Sequence, residues 1–553
     1  MTNYTVIRHN FRLLFITVLT ILLMCAGISI QTREQIDVPV FSAESGFYQD
    51  AFYLEITAPK DCSIYYTLDC STPDRNSILY TGPILIDDAS RRDNVYSAIL
   101  KTAAEDYAVQ EPDFLVDKCT VVRAIAIPDN VLNFQNSKII TKSFFVGFSP
   151  DHFDNLNIIS LVTDPDNLFS HEKGIYVTGR IQQEYLDDTA EEDREFWARW
   201  PANFTQRGQD WEREAHITYF DADGTVSLEK TIGIRIQGGY GRAYVPKSLN
   251  LFARKAYDGT DCFEYDFFGN NHLLSSLTLS SGGSGGLTSK MDDYLMAEFT
   301  QGMPYCVMSY IPCVMFLDGE YWGMYWLTEK YDSQYIQEYY NLSNTDIIII
   351  KHRELEAGYE DDLLVYKQLM QFFEHNDMSV EANYAQACRL IDMDSFLDYY
   401  ATMIYIARSQ DWPETNEALW RTRKVSAEPY ADGKWRWMLF DCNAFCMEAD
   451  SIEHDTLDWA IRKSTIFRSL WNSPFFREAF QKRILQIADQ HFETEKMNQF
   501  LNQYYDTMID PLSKNWARFS GSENNRKADF INILASRQKF FEQRRNTIVS
   551  WFE

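Results

Sequence analysis

The chain has 553 residues and a formal net charge of −29, with 45% hydrophobic and 15% aromatic residues. Its length allows about two to four domains, and its hydrophobic content excludes a largely disordered chain. Because an acidic surface repels phosphate backbones, we expect no nucleic-acid partner.

An apolar run begins almost at the N-terminus. It extends over residues 13–30, and Arg8 and Arg12 precede it. Its length lies between those of a signal peptide and a membrane-spanning helix, and the positive charges place its start in the cytoplasm. Residues 1–31 are therefore predicted to be a signal peptide or an N-terminal membrane anchor. The rest is predicted to be exported, either extracellular, at the cell surface or anchored on the outer side, with membrane contact only through this segment.

Short β-rich runs separated by turn residues occupy about 38–148. Residues 51–56 and 62–68 alternate, or nearly alternate, between apolar and polar side chains, as strands with one buried face do. Turn residues at 71–73 and 81–83 separate such runs. This pattern predicts a small all-β sandwich of the immunoglobulin or fibronectin type III kind.

Four motifs in this part carry a resemblance: PVFS at 39–42, SGFY at 45–48, IYYTLD at 64–69 and STP at 71–73. They resemble the chitobiase/β-hexosaminidase C-terminal-type domain, although Cys70 stands where that domain usually has glycine. Such modules accompany extracellular enzymes without supplying catalysis. The resemblance thus implies a spacer role and proximity to cell-wall polysaccharide.

From about residue 151 to the C-terminus the pattern is α+β. Strand-like runs come first, and helical periodicity dominates after about residue 332. The predicted strands are 157–162, 216–220, 231–237, 248–252 and 314–318, and the predicted helices are 361–374, 393–407, 473–489 and 530–553. A β-rich part followed by a helix-rich part predicts a two-lobed domain, over 151–553, with a cleft between the lobes.

Three segments of this region carry residues suited to phosphoryl transfer. A glycine-rich turn, RIQGGYGR at 235–242, precedes Lys247, and glycines let backbone amides approach phosphates closely. Asp411 and Asn416 have the five-residue spacing of the kinase catalytic loop. Asp441 ends an apolar run, where a kinase holds a magnesium-binding carboxylate. Taken singly, each segment also has a structural interpretation, as a hairpin turn, a chance pair or a strand-end aspartate.

Together and in this order, the three segments resemble the CotH (spore-coat protein H) kinase family. QRGQDWER at 206–213 and DGEYWGMYWLTEK at 318–330 add to the resemblance. It implies an atypical protein-kinase-like fold that uses ATP with Mg²⁺ or Mn²⁺. The implied activity is phosphorylation of Ser or Thr hydroxyls on extracellular or cell-surface proteins.

The resemblance also implies roles for individual residues. Asp411 would be the catalytic base, and Lys247 would pair with the nucleotide phosphates. The implied metal ligands are Asn416, Asp441 and Asn443. The implied nucleotide-binding residues are Gly238, Arg242, Lys247, Glu298 as the partner of Lys247, and Glu329 near the interlobe hinge and adenine. The hypothesis requires Lys247, Asp411 and Asp441 to meet around one triphosphate.

The sequence departs from the family pattern at three places. Asn443 stands where relatives often have a second aspartate, the glycine-rich stretch around Gly285 lacks an expected aspartate, and Asp292-Asp293 replaces an expected Arg-Asp pair. These departures support an alternative hypothesis, a catalytically degenerate kinase fold. Such a protein would act as a surface scaffold, or as an adhesion or carbohydrate-associated protein.

Overall fold

The structure is a computed structural model of the chain. It describes residues 34–104, 110–130, 134–342, 346–413, 415–443, 446–520 and 523–553. The predicted signal peptide or anchor at 1–31 lies outside these ranges. Within them, no helix has both the length and the apolar character that crossing a membrane requires.

The N-terminal part is a β-rich unit around its own apolar core. A five-stranded sheet of order β3-β11-β9-β6-β7 is accompanied by three two-stranded sheets, β1-β10, β2-β5 and β4-β8. Residues such as Leu54, Ile86, Val122 and Phe144 are fully buried between them. The strands are β1 (Glu34–Gln35), β2 (Val40–Phe41), β3 (Gly46–Tyr48), β4 (Phe52–Leu54), β5 (Ile56–Thr57), β6 (Cys62–Thr67), β7 (Ile78–Leu79), β8 (Ile84–Ile86), β9 (Thr120–Pro128), β10 (Phe134–Gln135) and β11 (Ile140–Val146).

The strand-rich half of the second part is a closed barrel of order β12-β13-β14-β15-β16-β18-β17. A parallel pairing of β12 with β17 closes it, and the other neighbours are antiparallel. The five predicted strands are confirmed, but closure was not predicted, because it depends on pairing between distant strands. The barrel strands are β12 (Asn157–Val162), β13 (Arg213–Phe220), β14 (Val226–Ile236), β15 (Leu249–Phe252), β16 (Ser276–Ser280), β17 (Tyr310–Leu317) and β18 (Glu320–Glu329).

Three short helices lie in connections of the barrel, and the helix α4 precedes β17. The helical half follows β18 and contains a four-stranded sheet of order β20-β19-β21-β22. Its strands are β19 (Ile347–Lys351), β20 (Glu354–Ala357), β21 (Ala418–Thr422) and β22 (Arg436–Met438). The α-helices of the described residues are α1 (Pro165–Phe169), α2 (Gly179–Asp188), α3 (Lys255–Asp258), α4 (Asp292–Thr300), α5 (Ser333–Tyr340), α6 (Asp362–His375), α7 (Glu381–Leu390), α8 (Met393–Tyr405), α9 (Thr456–Lys463), α10 (Thr465–Trp471), α11 (Pro474–Gln490), α12 (Thr494–Ser520) and α13 (Glu523–Ser550).

The four predicted helices are confirmed as α6, α8, α11 and α13. The start of α11 shows the local reason: the Phe476 amide donates to the Ser473 hydroxyl at 3.5 Å, and Pro474 is the first helical residue. The main error is the start of α13, which begins seven residues earlier than the predicted residue 530. The α+β, two-part architecture predicted from the pattern is thus confirmed.

The front unit is fixed to the barrel through the hairpin between β17 and β18. The Glu320 carboxylate accepts the amides of Val95 and Ser97 at 2.6 and 2.7 Å, and the Cys119 amide donates to the Gly319 carbonyl at 2.9 Å. Charged acceptors make the stronger class of hydrogen bonds. The front unit therefore contacts the barrel directly through this hairpin.

Asp318, at the tip of this hairpin, is a buried carboxyl group. It is 4% exposed, and its Oδ1 accepts the Thr163 amide at 2.8 Å. Its Oδ2 has no hydrogen bond within the described ranges. Burial raises the pKa of Asp318 to about 8, although the Thr163 amide and Arg123 act in the opposite direction. The folded protein therefore keeps this carboxyl protonated over a pH range in which the unfolded chain ionises it.

The Asp318→Asn variant should raise the melting temperature at pH 8 and leave it nearly unchanged at pH 4. Because the folded-state pKa lies above the unfolded value, the stability from the carboxyl is fully present below about pH 4 and is lost as the pH rises through 8. Asparagine keeps the polar contact and tolerates the left-handed φ of +47° at this position. Thermal unfolding across this range measures the effect, and exposed Asp506→Asn should give a flat difference. A parallel decrease at all pH values would contradict it.

Candidate active site

The loop after α8 brings Asp411 and Asn416 into contact. The amides of Thr415 and Asn416 both donate to the Asp411 carbonyl at 2.9 Å, which closes a tight turn. As a result, the Asn416 side-chain amide donates to the Asp411 Oδ2 at 2.8 Å. The five-residue spacing in the sequence therefore corresponds to a direct contact between the two side chains.

Arg408 holds the other oxygen of Asp411. Its guanidinium is fully buried, and Nη2 lies 2.9 Å from the Asp411 Oδ1. Since no guanidinium nitrogen of Arg408 makes a well-oriented hydrogen bond to any described residue, the attraction is mainly between charges. Burial raises the pKa of Asp411, Arg408 lowers it and Asp441 raises it. The Asp441 charge is thus close enough to affect the ionisation of Asp411.

The Asp441 loop follows β22 and contacts the first turn of α4. The Cys442 amide donates to the Asp293 Oδ1 at 2.6 Å, and the Asn443 Nδ2 donates to the Asp293 Oδ2 at 2.8 Å and to the Asp441 Oδ1 at 3.1 Å. Burial raises the pKa of Asp293 to about 6, and the Asp441 charge adds to the shift. Asp293 was not predicted as a site residue, because its partners lie 149 and 150 residues away in sequence.

Lys247 does not lie where the resemblance implied. Its side chain is fully buried in the barrel, where Nζ donates to the carbonyls of Arg242 and Tyr244 and lies 3.9 Å from the Phe204 ring centroid. Burial, with the Arg242 charge, lowers the pKa of Lys247 well below its usual value. The prediction that Lys247 pairs with nucleotide phosphates is wrong for this conformation, because the barrel directs the side chain inward.

The predicted pairing of Glu298 with Lys247 is also wrong. Glu298 is exposed on α4, whereas Lys247 is enclosed by the barrel, and no ion pair joins these two described residues. The first turn of α4 instead presents Asp293 to the Asp441 loop. Helix α4 therefore serves the site through its N-terminal end.

The glycine-rich turn is held by two arginines. The Gly238 carbonyl accepts Arg242 Nε at 2.6 Å and Arg207 Nη2 at 3.0 Å, and Gly238 has a φ of +110°. Arg242 is 6% exposed and also donates to the carbonyls of Phe204 and Gln206. Its predicted role in nucleotide binding is therefore wrong. Arg242 instead stabilises the turn from its buried side. Arg207 is exposed beside the turn.

Glu329 ends β18, where the chain crosses from the barrel to the helical half. It is fully buried: Oε2 accepts the Ser309 amide at 2.8 Å, and Oε1 accepts the Tyr339 hydroxyl and the Asn270 amide. Burial raises the pKa of Glu329. Glu329 thus lies at this crossing, but its carboxylate is occupied by protein donors and is not open to adenine.

Lys351, at the end of β19, is a cation that sequence reasoning missed. Its Nζ lies 4.1 Å from the Phe440 ring centroid, directly before Asp441. Burial lowers the pKa of Lys351; Glu356 and Asp441 raise it, and Lys330 and Arg207 lower it. Arg207 of the strand-rich half and Asp441 of the helical half are therefore both near enough to affect the pKa of Lys351. The available signal was a charged residue ending the apolar run IIIIK at 347–351, the same signal that identified Asp441.

Comparison with known families identifies the two parts of the chain. The model of the CotH kinase protein family matches residues 234–548, more than half of the chain. The chain belongs to the CotH kinase family. The chitobiase/beta-hexosaminidase C-terminal domain matches residues 43–130, which confirms the second resemblance. A search of curated proteins found no match.

CotH membership implies a nucleotide and a divalent metal, and the residues present fit a magnesium-type ion. Oxygen ligands from one or two carboxylates, completed by phosphate oxygens, suit Mg²⁺. Asp441 and Asn416 offer such oxygens, and the buried Asp411 Oδ1 beside them accepts no hydrogen bond from the described residues. Asn443 directs its nitrogen at two carboxylates and so fits a ligand role less well. No group of three His, Cys, Asp or Glu suited to a metal occurs in the part of the chain described.

CotH membership implies nucleotide binding, and on that expectation a Lys351→Met variant should bind ATP about tenfold to a hundredfold more weakly, because the amine beside Phe440 would no longer offset phosphate charge. Lys247→Met is the matched control: it removes a buried lysine that contacts only protein groups. The control should reduce thermal stability and leave ATP affinity within about twofold. Calorimetric titration with Mg²⁺–ATP measures both. Weaker binding in Lys247→Met alone would restore the original assignment.

Proposed function

We propose that this CotH-family chain is an exported protein kinase that transfers the ATP γ-phosphoryl group to Ser or Thr hydroxyls of extracellular or cell-surface proteins. The observation that carries the proposal is the position of the Asp411 carboxylate. It lies between Arg408 and Asn416, and the Asp441 charge raises its pKa. This arrangement has the parts that phosphoryl transfer requires, namely a hydroxyl-orienting carboxylate beside a metal-holding carboxylate.

In the proposed reaction, Asp411 accepts the proton of the acceptor hydroxyl as its oxygen attacks the γ-phosphorus. A bond forms between that oxygen and phosphorus, the bond from the γ-phosphorus to the bridging oxygen breaks, and ADP leaves with the electron pair. Lys351 and Arg207 offset phosphate charge from the two sides of the cleft. When bound at Asp441 and Asn416, Mg²⁺ or Mn²⁺ would supply further charge neutralisation.

A degenerate kinase fold is the second candidate, and a specific observation supports it. The lysine expected at the phosphates, Lys247, is fully buried among protein acceptors, and Glu329 is likewise occupied. A protein of this kind would act as a surface scaffold, or in adhesion or association with carbohydrate. The front unit, similar to a domain found beside extracellular enzymes, is compatible with both candidates.

Phosphate transfer from γ-labelled ATP tests the proposal. The protein lacking residues 1–31 is incubated with Mg²⁺ or Mn²⁺ and a Ser/Thr peptide library, with Asp441→Asn as the inactive control and exposed Asp506→Asn as the matched one. Transfer by the native protein and by Asp506→Asn, but not by Asp441→Asn, supports a kinase. A nucleotide-dependent rise in melting temperature without transfer supports the degenerate alternative. Retention on a polysaccharide column would support carbohydrate association.

Export is part of the proposal and rests on Arg8, Arg12 and the apolar run at 13–30. The proposed partner is an extracellular or surface protein, with no nucleic-acid partner. Fusing a reporter that is active only outside the cytoplasm to the full chain tests the location. A reporter active only inside the cell would overturn it.

A further inference from the structure

The Asn443 side chain lies between two carboxylates. Its amide nitrogen donates to the Asp293 Oδ2 at 2.8 Å and to the Asp441 Oδ1 at 3.1 Å. Two carboxylates facing each other across so short a gap would repel without a donor between them. The amide therefore allows Asp293 to stand beside Asp441 in place of a second carboxylate at position 443.

Asp293 also fixes the backbone of the same loop. Its Oδ1 accepts the Cys442 amide at 2.6 Å, so one carboxylate binds two successive residues after Asp441. Asp441 itself has a left-handed φ of +59°, a conformation that residues other than glycine rarely adopt. A non-glycine residue in this conformation persists when surrounding contacts over-determine it, and Asp293 supplies two such contacts.

The start of α4 is in turn anchored from the C-terminal helix α13. Arg537 donates to both oxygens of Asp292, at 3.0 and 2.9 Å, and to the Met447 carbonyl at 2.8 Å. Asp292 and Arg537 are both buried. Asp293 thus holds the Asp441 loop at Cys442 and Asn443, and Arg537 holds it at Met447. The two anchors are joined because Arg537 binds Asp292, the neighbour of Asp293 in α4.

Gly283 closes the remaining side of Asn443. A Cβ atom at Gly283 would lie 2.7 Å from the Asn443 Nδ2, closer than real Cβ contacts allow, and Gly283 has a φ of +56°. The glycine-rich stretch, which lacks the aspartate expected from the family, is therefore packed against the Asn443 amide. The bare glycine backbone fits this contact, and a side chain would displace it.

We propose that Asp293 is a positioning residue of the phosphoryl-transfer site, acting through Asn443 and Cys442 on Asp441. It supplies the second negative charge beside Asp441, so the exchange of a carboxylate for an amide at position 443 is compensated. This inference rests on the proposed function. Groups that orient a metal-binding ligand through a hydrogen bond typically change metal affinity about tenfold to a hundredfold when removed.

A charge-exchange cycle tests the inference: Asp293→Asn, Asn443→Asp and the double variant, each in the full chain. Mn²⁺ binding is measured by paramagnetic resonance without nucleotide, thermal unfolding is measured without metal, and phosphate transfer is measured separately. Asp293→Asn should weaken Mn²⁺ binding about tenfold. Asn443→Asp should lower the melting temperature, because three carboxylates then meet. The double variant should restore the Mn²⁺ affinity to within about twofold of the native value. It should also restore the melting temperature to within a few degrees.

The outcomes separate the inference from the proposed function. Unchanged Mn²⁺ binding in Asp293→Asn, with transfer by the native protein, overturns the inference and leaves the kinase proposal standing. A tenfold loss that the double variant restores, without transfer by the native protein, supports the inference and overturns the kinase proposal. A native protein that binds no Mn²⁺ overturns the inference, and the transfer assay alone then decides the kinase proposal. Failure of the double variant to restore either property also counts against the positioning role.

Discussion

The Asp411→Asn variant should lose phosphate transfer by a factor of about 10²–10⁴ while it keeps its affinity for ATP. Asparagine has the same shape and still accepts a hydrogen bond, but it does not take up the proton of the acceptor hydroxyl. The neighbouring Asn416 contact concerns one oxygen of Asp411 and survives the change. The loss should therefore fall on kcat, with KM for ATP little affected.

Initial rates at varied ATP concentration measure this effect, and calorimetric titration checks the nucleotide affinity. In the variant, the buried Arg408 loses the Asp411 charge but still has the Asp441 carboxylate as a negative neighbour, so the protein should remain folded. Its melting temperature checks this. Asp506→Asn, an exposed aspartate on α12, should keep the native rate. A variant with more than a tenth of the native kcat would exclude Asp411 as the base.

Local sequence rules predicted the parts of the site whose partners are near in sequence. The Asp411–Asn416 contact spans five residues and follows from one turn closed by two backbone hydrogen bonds. The capped start of α11 is local in the same way. Each of these features depends on residues within a single turn of chain, so a pattern in one sequence is enough to reveal it.

The predictions that failed concern side-chain positions that depend on contacts between segments distant in sequence. Whether Lys247 points into the barrel depends on how β14, β15 and β16 pair, and strand runs alone do not give that register. The Asp293 contacts join α4 to a loop about 150 residues later. Lys351 lies beside Phe440 because β19 pairs with β21, which in turn pairs with β22 before Asp441. A pattern along the sequence does not show which of these distant residues become neighbours in the fold.

The Arg544→Met variant should lower the free energy of unfolding by at least about 3 kcal/mol. Arg544 is fully buried and donates to the carbonyls of Ile404 and Tyr405 at the end of α8, each at 2.9 Å. It also donates to the carbonyls of Ile452 and His454, at 2.6 and 2.9 Å. Although burial lowers the pKa of Arg544 to about 10, the group is charged at neutral pH. Methionine fills similar space but removes the guanidinium donor from all four carbonyls.

Arg545→Met provides the matched control, because the adjacent arginine is half exposed and pairs with the half-exposed Asp489. A surface pair of this kind contributes less than about 1 kcal/mol. Denaturant unfolding of both variants should therefore separate them by about 2 kcal/mol or more. Because α8 leads directly into the loop that carries Arg408 and Asp411, the Arg544 variant should also lose phosphate transfer before it unfolds globally. Equal stability of the two variants would show that α13 does not hold the loop of Arg408 and Asp411 through Arg544.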